Sequence, residues 1–190
     1  MLLSNADYLN LGRQIARLLG ASLEGASADA LRELAKSYDP EANEARISAE
    51  VFVFHKYLVM QACVGVFPAT HVEHVVGGFF AALNEQMKGL QFTPERQQAM
   101  EDMWQFRAGQ FETPFAGDRV EFLQADPGAY HWKQTISRFC QNICDLASPP
   151  DIWTANSAPS QTASRSVTHA LDQMIAALGE MNRLHFSGAV

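Results

Sequence analysis

Apolar residues recur along this chain at the spacing of helices. Leu11, Ile15, Leu18 and Leu19 line one side of a segment near the N-terminus, and Val72, Val75, Val76, Phe79, Phe80, Leu83 and Met87 line one side of another. Both patterns predict amphipathic helices with a single buried face. A third segment differs, because Val51, Phe52, Val53, Phe54, Tyr57, Leu58, Val59, Met60, Cys63 and Val64 surround its axis. Such a helix is packed on most sides and becomes the centre of the fold. Asp39-Pro40, Thr93-Pro94 and Asp126-Pro127 each read as a capping residue followed by proline at the first helical position. Ser4 with Asp7 and Thr70 with Glu73 read as capping boxes, while Gly20, Pro68, Gly89 and Pro149-Pro150 read as stops. The predicted helices run from about 5 to 19, 28 to 38, 40 to 66, 71 to 88, 94 to 110, 118 to 125, 127 to 147 and 164 to 186. With no strand or hairpin signal, the fold class is all-α: an irregular multi-helix bundle around a central buried helix at about 40–66, with a C-terminal helix after an extended connector.

The composition of residues 148–163, rich in Ser, Pro, Ala and Thr, resists regular structure and divides a bundle domain, 1–147, from a C-terminal helix, 164–190. Trp153 is expected to pin this connector to the body, or else to serve a partner. In the last helix Val167, Leu171, Met174, Leu178 and Met181 are spaced 4, 3, 4 and 3 residues apart, a heptad seam that packs along another helix. That helix belongs either to the chain's own bundle or to a second copy, so the seam is a candidate docking or dimerisation interface.

The 190 residues are 47% hydrophobic and 18% charged, enough for a sizeable core. A formal charge of -7 disfavours nucleic acid and anionic lipid as partners. The most apolar run, Val51 to Phe67, contains His55, Lys56 and Gln61 and reads as a buried helix rather than a membrane span. Residues 1–10 lack the pattern of a secretory signal, and Cys63, Cys140 and Cys144 are an odd number of thiols, so a reducing cytoplasm is expected.

Several residues carry candidate chemistry. His55 and Lys56 interrupt an apolar helix, and burial of either demands a partner. Lys56 is expected to snorkel to solvent. Glu50 can pair with Arg46 one turn earlier, or, if buried, serve as acid, base or ligand. His71 and His74 sit three residues apart, a spacing that can reach one metal ion, although solvation explains both as well. Gly77 and Gly78 in mid-helix imply close approach by a neighbouring helix. Cys140 and Cys144 border an apolar face and read as core residues. Phe115 stands between breakers in the loop 113–117, where core packing is the default explanation and capping of a pocket or a partner groove the alternative. Phosphate-loop, dinucleotide, zincin, esterase-elbow, di-metal Glu-x-x-His and haem-attachment motifs do not occur. The sequence therefore points to a non-enzymatic cytoplasmic protein acting in protein-protein interaction or regulation, self-associating and without a cofactor. The alternative is a bundle that binds a small ligand or metal in its interior through His55 and Glu50, assisted by Tyr57 or His71.

Overall fold

The computed structural model describes residues 2–89, 93–112, 127–146 and 158–186. Seven helices occupy them, with no strand among the described residues: α1 (Asn5–Leu23), α2 (Ala26–Tyr38), α3 (Glu44–Val66), α4 (Ala69–Gly89), α5 (Pro94–Glu112), α6 (Pro127–Ile143) and α7 (Ala158–Phe186). The fold is an all-α multi-helix bundle. The Ser4–Asp7 capping box opens α1, with Ser4 Oγ accepting the Asp7 amide at 3.2 Å and the Asp7 carboxylate accepting the Ser4 amide at 3.3 Å. Thr93 Oγ1 likewise accepts the Arg96 amide ahead of α5.

Other helix ends differ from the sequence reading for local reasons. Gly20 does not stop α1, which continues to Leu23 before Gly25 caps α2. Asp39-Pro40 does not start α3, because Asp39 Oδ1 accepts the amide of Glu41 and closes a turn. The cap is Asn43, whose Oδ1 accepts the amides of Ala45 at 2.8 Å and Arg46 at 3.3 Å. Thr70 lies inside α4, whose first amides, His71 and Val72, go to the Pro68 carbonyl. The last helix begins at Ala158, so the final residues of the expected connector are helical. The rest of that connector with Trp153, the expected helix 118–125 and Phe115 lie outside the described residues.

The chain forms two compact units. The first comprises Met1–Glu24, His55–Met100 and Ala170–Val190. Its core is built from Leu11, Ile15 and Leu19 of α1, Leu58, Val59 and Cys63 of α3, Val75, Phe79 and Ala82 of α4, and Met174 and Leu178 of α7, all buried. Helices α1 and α4 meet at two glycines, where a β-carbon on Gly12 would lie 2.1 Å from the Gly78 carbonyl oxygen and one on Gly78 would lie 2.3 Å from that of Tyr8. The neighbour that approaches Gly78 is therefore α1, whereas Gly77 faces open space.

The second unit comprises Gly25–Phe54 and Glu101–His169. Its core centres on Phe54, stacked on Phe139 at 3.9 Å between ring centroids and edge-on to Phe111 at 5.3 Å. Helix α3 contributes to both units, and seven consecutive residues, Val53, Phe54, His55, Lys56, Tyr57, Leu58 and Val59, are buried. This is the central helix that its all-round apolar pattern predicts.

Candidate functional site

The polar residues of α3 are the natural start, since burial obliges each to find a partner. His55 is fully buried, and its Nδ1 lies 3.0 Å from Ser22 Oγ of α1. Ser22 has one hydroxyl hydrogen, and that is donated to the Leu19 carbonyl at 2.7 Å. The pattern assigns the shared hydrogen to His55 Nδ1, which donates to the serine oxygen. A histidine that activates a serine must do the reverse and accept its proton. This pair ties the end of α1 to α3.

Glu50 is also buried, at 3% exposure, but not against Arg46. Its carboxylate accepts Arg107 Nε of α5 at 3.1 Å to each oxygen, and a terminal guanidinium nitrogen adds a third bond. Arg107 also donates to Gln110 at 2.8 Å, and Gln110 accepts from Asn142 of α6 at 3.3 Å. Arg46 instead donates to the carbonyls of Asn142 and Ile143 at the C-terminal end of α6, where a cation meets the negative pole of the helix. Glu50 and His55 stand five residues apart on one helix, so their side chains leave it about 140° apart. The structure gives them different partners and does not bring them together. Tyr57 is fully buried. Lys56 is buried too, against the expectation of snorkelling, with its ammonium 4.7 Å above the Phe80 ring.

His71 and His74 are separated by Tyr8. The Tyr8 hydroxyl bonds His71 Nδ1 at 2.7 Å, and the His74 ring stacks on the tyrosine at 5.1 Å between centroids. His71 is buried rather than solvated, with Phe186 of α7 at 4.5 Å between centroids, and His74 is exposed. Among the described residues no group of three or more His, Cys, Asp or Glu is arranged to hold a metal ion. The three thiols are free and buried, and burial pushes Cys63 and Cys140 up to about 12 and Cys144 to about 11, so all three are protonated near neutrality. A small cleft of about 80 Å³ lies between α2 and α3, lined by Arg32, Lys36, Glu44, Ile47 and Ser48.

The heptad seam of α7 is used within the chain: Val167, Met174 and Leu178 are buried, and Leu171 and Met181 are half-buried. Other apolar side chains are left at the surface. Contacts run from Leu3, whose amide meets Tyr8, through His71 to Phe186 and Phe67, and from Asn182 to the Val66 carbonyl. They gather the start of α1, the α3–α4 junction and the end of α7 at one end of the first unit. Leu2, Val64 and Leu184 stand in these three segments, 55%, 45% and 70% exposed. Periodicity does not mark Tyr8, Ser22 and Arg107 as the polar partners of these groups, because a side chain's role across helices is set by helix packing. Helix α3 is long and apolar enough to cross a membrane by length and composition, but most of it is buried inside the protein.

No family model matches the chain, and no curated protein or solved structure matches it either.

Proposed function

We propose that the chain is a non-enzymatic cytoplasmic helical protein acting in protein-protein interaction or regulation, and that its first partner is a second copy of itself. The observation that carries this reading is that Leu2, Val64 and Leu184, in segments whose contacts meet at one end of the first unit, remain exposed. Around it the charges have both signs, with Asp7 at the start of α1 and the Glu180–Arg183 pair beside Leu184. A two-fold copy presents the same surface to itself, so mixed charges allow opposite signs to meet. The engagement of the interior groups supports the non-enzymatic half of the proposal: His55 is hydrogen-bonded to Ser22, Glu50 is held by Arg107, and the buried thiols stay protonated.

Sedimentation equilibrium and light scattering of the intact protein test the proposal. A dimer is expected at micromolar concentration, converted to monomer by Leu184→Asp or Val64→Asp with helical circular dichroism unchanged. A monomeric native protein, or a dimer indifferent to both substitutions, overturns it. Leu178 is not a usable probe, since a charge at this buried position unfolds the helix packing first.

A further inference from the structure

We draw no further inference here: the strongest candidate, the small cleft between α2 and α3 lined by Arg32, Lys36 and Ser48, has both cations already paired with carboxylates, Arg32 with Asp29 and Lys36 with Glu44, and nothing in the structure marks a ligand in it.

Discussion

Replacing Gly12 by alanine probes the point where α1 and α4 touch backbone to backbone. The added β-carbon would lie 2.1 Å from the Gly78 carbonyl oxygen, 2.2 Å from its carbon and 2.6 Å from the Phe79 nitrogen. Carbon-oxygen contacts settle at about 3.3 Å or more, so the two helices must part by roughly 1 Å. A gap of about that size forfeits a quarter to a half of the dispersion energy between facing atoms. Buried apolar side chains on the two helices, Leu11, Ile15 and Leu19 of α1 and Val75, Phe79 and Ala82 of α4, stand to lose packing as the helices part. Overpacking costs about 1–3 kcal/mol, and here the obstacle is backbone, which has no rotamer into which to retreat. Taking the upper end, about 3 kcal/mol, and subtracting about 1 kcal/mol for the better helix propensity of alanine leaves a net loss of about 2 kcal/mol.

Gly77 supplies the internal control. It is exposed with nothing within 4 Å of its missing β-carbon, so Gly77→Ala should gain up to about 1 kcal/mol from propensity alone. Urea unfolding followed by helical circular dichroism reads both, and with slopes of about 1–3 kcal/mol per molar the Gly12→Ala midpoint should fall by roughly 1 M while that of Gly77→Ala rises. Gly78→Ala should behave like Gly12→Ala, and the double substitution should cost less than the sum, because the helices have already separated. The reasoning fails if Gly12→Ala and Gly77→Ala move the midpoint in the same upward direction, since the glycines would then differ from alanine only in propensity.

Three further outcomes are expected. Arg107→Ala leaves the Glu50 carboxylate buried without its main partner and should cost about 3 kcal/mol in denaturant unfolding, much of it recovered in the Glu50→Leu/Arg107→Met double variant; equal losses in both would argue against the pair. Tyr8→Phe removes the hydrogen bond to the buried His71 and should cost about 1–3 kcal/mol, with partial recovery in Tyr8→Phe/His71→Leu as the check. Above pH 9 the unfolded chain releases thiol protons that folded Cys63 and Cys140 retain up to about 12, so stability falls as pH rises through that window, by up to about 1.4 kcal/mol per unit for each thiol; a Cys63→Ala/Cys140→Ala variant with an unchanged alkaline slope in thermal unfolding would count against this origin.

Much of the fold is legible in the sequence, and the gaps are specific. The all-round apolar pattern of residues 51–64 identifies α3 as central because a helix with no polar face has to be enclosed. Ser4 and Thr93 act as the caps they resemble. Asp39-Pro40 misleads because the Asp39 carboxylate closes a turn with Glu41, and the capping role passes to Asn43. At the candidate site, burial of His55 follows from its apolar neighbours, but its bond to Ser22 joins residues 33 positions apart and depends on how α1 packs. Glu50 shows the same limit: local spacing offers Arg46, whereas the tertiary fold delivers Arg107 and turns Arg46 to the end of α6.

The polar bonds inside each unit share one design. Ser22–His55 joins α1 to α3, Tyr8–His71 joins α1 to α4, and Glu50–Arg107 joins α3 to α5. Apolar contacts are tolerant of sliding, because one leucine fits against another at several registers, but a hydrogen bond to a buried imidazole or carboxylate is satisfied at one. A register shift on any of these helices therefore strands a buried polar group at a cost of about 1–3 kcal/mol or more, which selects one packing from many of similar hydrophobic energy. These residues look chemically promising in the sequence because they are polar groups within apolar helices. In the fold each of them is bonded to a side chain of another helix.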